Sequence, residues 1–93
     1  MQDKLLYDVI NFFGIANQID IAIEEMSELI QALCKYKRSF SNLDNLAEEI
    51  ADVEICMRQI NIMFEGISPE IASYKKQKLE RLKQEIQTQK THK

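Results

Sequence analysis

The chain has 93 residues, enough for one domain. Its net charge of −3 supplies no drive toward DNA or RNA, and no stretch approaches the ~20 apolar residues that a bilayer span needs. With 45% hydrophobic residues, two Gly and one Pro, the composition predicts few loops and long helices. The expected fold is all-α: a four-helix bundle over residues 1–88, with a frayed polar tail over 89–93. Met1-Gln2-Asp3-Lys4 is not followed by a signal-type apolar region, so a cytoplasmic protein is expected.

Helix one is expected from Asp3 to Phe13, with Leu5, Val9, Phe12 and Phe13 as its apolar stripe and Gly14 as its stop. Helix two is expected from Ala16 to Arg38. Its stripe is Ile19, Ala22, Ile23, Met26, Leu29, Ile30 and Leu33. Asn17 or a neighbour is the expected cap, Asp20 lies near the positive end of the dipole, and Lys35, Lys37 and Arg38 favour the C-terminal end. Ser39-Phe40-Ser41-Asn42 makes a short connection, and Ser41 with Asp44 resembles a capping box. Helix three is expected to reach Glu65, carrying Leu46, Ile50, Val53, Met57, Ile60 and Phe64, with Gly66 as its stop. Ser68-Pro69 opens helix four, which carries Ile71, Tyr74, Leu79, Leu82 and Ile86; from Gln87 the sequence is polar and fraying is expected. Cys34 and Cys56 have no CxxC spacing and lie among apolar neighbours, which reads as two reduced core cysteines.

Two pairs of acids stand out. Glu25 and Glu28 are three apart on helix two, as are Glu49 and Asp52 on helix three, so each pair shares a helix face. A short loop makes the two helices antiparallel and brings the pairs to within ~5 Å of the same level. Four converging carboxylates repel one another unless a cation lies between them. Oxygen-only donors suit Mg²⁺ or Mn²⁺. The sole histidine, His92, lies in the tail, which excludes a di-iron Glu-x-x-His centre and argues against zinc. The bland alternative is a solvated acidic face. It fits poorly, because the residues four positions after Glu24, Glu25, Glu28, Glu48 and Glu49 are Glu28, Leu29, Ala32, Asp52 and Val53, none of them basic.

Glu24-Glu25-x-x-Glu28 followed by Glu49-x-x-Asp52 resembles the MazG-like all-α nucleoside triphosphate pyrophosphohydrolases, whose hallmark is EExxE, a spacer, then ExxD. The likeness covers nearly the whole chain. It implies a metal-dependent hydrolysis of the α–β phosphoanhydride of (d)NTPs to a nucleoside monophosphate and pyrophosphate. It further implies that Glu25, Glu28, Glu49 and Asp52 hold Mg²⁺, and that Glu24 orients or deprotonates the attacking water. Lys35, Lys78 and Arg81 are the basic residues expected to meet phosphates. Many relatives carry a Trp near the start of helix two that stacks on the base. This chain has none, and Gln18, which stands near that place, joins the residues expected to bind substrate.

A domain of this size buries ~60–65% of its unfolded surface, so its own core is modest. Together with the resemblance, this points to a homodimer or homotetramer that completes the bundle and the substrate cleft. Two other readings stand beside the first: a phosphoribosyl-ATP pyrophosphohydrolase, and a non-catalytic helical dimer used for interaction.

Overall fold

The structure, a computed structural model, describes residues 2–91. The end of the polar tail, with His92, lies outside the described residues. Those residues form four α-helices and one short 3-10 turn, with no strand among them: α1 Asp3–Phe13, α2 Ile15–Ser39, α3 Leu43–Met63, the 3-10 turn Glu65–Ile67, and α4 Ser68–Thr91. None of these helices is long and apolar enough to cross a membrane. The chain divides into two compact units, one ending at Met63 and the other beginning at Phe64.

The first unit contains α1, α2 and α3. Gly14 joins α1 to α2 with φ of +91° and ψ of 153°, a backbone region open only to glycine. A Cβ placed there would meet open space, so the angle and not crowding demands the glycine. Its N–H closes α1 on Ile10 O, and its carbonyl accepts the N–H of Gln18 to open α2. Gly14 is thus the N-cap of α2; Asn17 lies inside the helix, and no acid occupies the first turn. Lys37 and Arg38 do occupy the last turn, where cations meet the negative end of the dipole.

Between α2 and α3, Phe40 and Asn42 both adopt left-handed φ values of 51° and 50°. Asn tolerates this conformation readily, whereas an aromatic does so only when held. Phe40 is held by its N–H on Tyr36 O at 2.6 Å and by an edge-to-face contact with the Tyr36 ring at 5.5 Å. Ser41 does not build a capping box: its Oγ pairs with Ser39 Oγ at 2.7 Å, and the carbonyl of Asn42 receives the first helical bond from Leu46. At its other end α3 stops at Met63, short of Glu65. Gly66 lies within the 3-10 turn that leads into α4.

The core is small. Leu6 and Ile10 of α1 pack on Ile62, with half-buried Met63 beside them. Burying side chains of this size contributes roughly 1.5–3 kcal/mol each. This selects a different face of α1 from the expected one: Leu5, Phe12 and Phe13 are exposed, Phe12 to 81%. Arg58 clasps Asp3 through Nε on Oδ1 at 3.0 Å and a terminal nitrogen on Oδ2 at 2.6 Å, tying the start of α1 to α3. On α2 the buried residues are Gln18, Ala22 and Ala32; on α3 they are Cys56, Gln59 and Ile62. The alanines allow the two helices to approach closely. Ile23, Ile30 and Leu33 of the expected α2 stripe are exposed, and so is Cys34, leaving Cys56 as the buried cysteine.

In the second unit, α4 runs through Gln87 to Thr91, a stretch of Gln, Thr and Lys without Gly or Pro to break it. Its apolar residues Tyr74, Leu79, Leu82 and Ile86 are all more than half exposed.

Candidate metal centre

Helices α2 and α3 face each other along a seam with alternating spacings of four and three residues. Along its centre lie Gln18, Ala22, Glu25, Leu29 and Ala32 of α2 and Glu49, Asp52, Cys56 and Gln59 of α3, flanked by half-buried Met26 and Glu28 on α2 and Val53 and Ile60 on α3. This is the pattern that keeps one stripe of a helix against a partner. Two contacts show the antiparallel pairing. Gln59 Nε2 donates to Gln18 Oε1 at 3.0 Å at one end, and Asn42 Nδ2 donates to Ala32 O at 3.2 Å at the other.

Between these contacts the acids converge. One carboxylate oxygen each from Glu25, Glu49 and Asp52 lies within 4.8 Å of the other two, and all three residues are half-buried. Glu28, also half-buried, acts on both Glu25 and Glu49 through like charge and a carboxyl–carboxyl interaction. Glu24, Glu48 and Glu54, neighbours in sequence, are turned to solvent. The helical geometry therefore sorts the acids into an inward set of four and an outward set, as the spacing requires.

The inward acids are not compensated. Glu25 Oε2 and Glu49 Oε2 are buried with no hydrogen-bond partner. Burial raises the pKa of Glu25 above the usual glutamate value, and Glu28, Asp52 and Glu49 push it further. Glu49 is raised likewise, first by burial and then by Glu28 and Asp52. Orphaned carboxylate oxygens in this setting are costly, and a hard cation relieves both the desolvation and the repulsion. The donor set fits such an ion: every donor is a carboxylate oxygen, which suits Mg²⁺ or Mn²⁺ and not a soft metal. One turn from Asp52, buried Cys56 floors the group. Its thiol is pushed up by burial, then by Glu25 and Asp52, and so stays protonated and unreactive.

The remaining expected site residues fall elsewhere. Glu24 is exposed on α2, outside the inward set. Lys35 is exposed, ten residues beyond Glu25 and so roughly 15 Å along the helix. Lys78 and Arg81 are exposed on one face of α4 in the second unit. Gln18 is no surface contact for a base: it is 3% exposed, its Oε1 takes Gln59, and its Nε2 donates to Asn17 Oδ1 at 3.1 Å. Seam spacing puts it there, seven residues before Glu25. Cys56 is in the interior as its apolar neighbours predict, whereas Gln59, in the same surroundings, carried no sequence signal beyond its step of seven from Asp52, which continues the inward spacing.

No family model, curated protein or solved structure matches the chain.

Proposed function

We propose that the chain is a magnesium-dependent nucleotide pyrophosphohydrolase of the MazG-like type, cleaving the α–β phosphoanhydride of (d)NTPs to a nucleoside monophosphate and pyrophosphate. The observation that carries the reading is the convergence of Glu25, Glu49 and Asp52 with two orphaned buried oxygens. The two-part acidic motif gives that cluster its chemistry. Glu25, Glu28, Glu49 and Asp52 would hold Mg²⁺, which when bound neutralises phosphate charge and makes an attacking water more acidic.

The chain's own groups divide the remaining work. Antiparallel α2 and α3 hold the inward carboxylates at one level, so their geometry is set before any ligand arrives. Glu24 is the proposed group for orienting or deprotonating water, assigned from its place in the motif; its exposure leaves it free to meet substrate from the solvent side. Lys78 and Arg81 are the proposed phosphate donors, with Lys35 a further cation on α2. Gln18 leaves the substrate-binding set, because its amide is already committed.

Self-association into a homodimer or homotetramer is part of the proposal. Its support is the small core of the first unit and the exposed apolar residues of α2 and α4, among them Ile23, Ile30, Leu79 and Ile86. Light scattering that finds an active monomer would refute this part.

The test of the activity is direct. Purified protein with Mg²⁺ and a nucleotide panel should release pyrophosphate and not orthophosphate. Activity that survives both Asp52→Ala and Glu28→Ala would sink the proposed site.

A further inference from the structure

Two glutamines are buried in the seam, Gln18 at 3% and Gln59 at 6% exposure, and they bond each other at 3.0 Å. They are not near neighbours of the carboxylates. Seven residues separate Gln18 from Glu25 on α2, and seven separate Asp52 from Gln59 on α3. Seven residues is close to two full turns, so the glutamine layer lies roughly 10.5 Å along the same stripe from the acidic layer. In an antiparallel pair, equal offsets on the two helices mean one register. The register that pairs Gln18 with Gln59 is the register that sets Glu25 opposite Asp52.

At the other end the three-residue connection and the Asn42–Ala32 bond anchor the helices, and between the two anchors the apolar seam does not dictate that register. Ala22, Met26, Leu29, Val53, Cys56 and Ile60 are apolar and tolerate sliding. The acidic layer cannot supply it: without a cation, the carboxylate oxygens of Glu25, Glu49 and Asp52, within 4.8 Å of one another, offer no attraction to hold them together. A slip of one turn would displace Glu25 from Asp52 by about 5.4 Å. The same slip would leave two buried amides facing apolar groups. A polar pair inside an apolar seam is the best attested device for holding register. It is needed here because the functional layer cannot hold itself.

We propose that the Gln18–Gln59 bridge is a positioning device that sets the register of α2 against α3 and thereby assembles the carboxylate site before a cation binds. The proposal rests on the metal-site reading. The experiment is to replace both amides by apolar side chains of similar shape, Gln18→Met with Gln59→Met, and to titrate full-length wild type and variant with Mn²⁺ alone, following free Mn²⁺ by its electron paramagnetic resonance. In the metal-free proteins, Tm is measured and the contact from the Asn42 side-chain amide to Ala32 is followed by NMR as a separate report on register. The expected result is a variant that keeps its helical signal and its Tm, binds Mn²⁺ about tenfold or more weakly, and loses the Asn42–Ala32 contact. Unchanged Mn²⁺ affinity with that contact intact overturns the proposal. So does an affinity that falls only in step with Tm, which would mark the pair as ordinary packing. Wild type that binds no Mn²⁺ refutes the metal site instead; the Asn42–Ala32 contact then decides the register claim by its loss or survival in the variant.

Discussion

Two layers of one helical seam treat buried polarity in opposite ways. In the glutamine layer, Gln18 and Gln59 are almost fully enclosed and their amides are matched to each other and to Asn17. In the acidic layer, two turns away, Glu25 and Glu49 are less enclosed, yet each leaves a buried oxygen without a partner. A satisfied buried group adds specificity to a fold, whereas an unsatisfied one costs stability until a ligand answers it. The contrast separates a satisfied polar layer from an unsatisfied one, whose proposed role is to receive a cation. It also explains why the acids alone are an unstable arrangement and why the neighbouring layer matters.

The contrast can be broken most severely at Asp52. Asp52→Ala should lower Mg²⁺-dependent pyrophosphate release by at least about a hundredfold while circular dichroism shows an unchanged helical fold, since it removes a proposed metal ligand and no core packing. Next in size is the cation itself. Mg²⁺ at about a hundred times its dissociation constant should stabilise the protein by roughly 2.7 kcal/mol, read as a rise in Tm, and Glu49→Gln should remove most of that rise. Metal-free Glu49→Gln should melt slightly above metal-free wild type, because a repelling charge is gone. A smaller gain should follow Glu48→Gln, because Glu48 acts on Glu49 only weakly and from the solvent side.

The glutamine layer should respond differently. Gln59→Ala leaves the Gln18 amide buried without its partner and should cost about 1–3 kcal/mol in denaturant unfolding, with or without Mg²⁺. The pH dependence of stability sharpens the comparison further. Glu25 and Glu49 hold their protons more tightly when folded than when unfolded. Their protonated forms therefore favour folding at low pH, and metal-free protein should lose that stability as pH rises from the ordinary glutamate value through the raised folded values. Saturating Mg²⁺ should flatten or reverse the slope, and Glu25→Gln with Glu49→Gln should abolish it. The smallest effect is expected at the half-exposed Asp3–Arg58 pair. There Asp3 is lowered by its bond to Arg58, so its contribution is present above the unfolded value and is lost as pH falls through the folded one. Asp3→Asn should shift Tm by no more than a few °C.

Much of the acidic cluster was legible from residue spacing. Acids three apart on a helix must share a face, so the inward set Glu25, Glu28, Glu49 and Asp52 follows from helical periodicity once α2 and α3 are antiparallel. Helix one was placed from Asp3 to Phe13, and the single residue Gly14 did end it, because few backbones other than glycine's accept its dihedral angles. The register of burial was less legible. In α1 both Leu5, Val9, Phe12 and Leu6, Ile10 recur at helical spacing, and only docking on Ile62 selects the second set. Gln18 and Gln59 were invisible for the same reason: a glutamine on a helix carries no mark of burial until its partner lies across the seam.

Sequence alone determined that this chain is helical, that Gly14 ends its first helix, and which acids share a face, because those properties depend on local backbone preference and a period of 3.6 residues. Tertiary structure decided which face of α1 is core, that Asn42 and not Ser41 opens α3, that Gln18 is interior, and that the acidic oxygens remain unpartnered. Those outcomes depend on what stands across the gap between two helices, and the spacing within either helix does not contain that information.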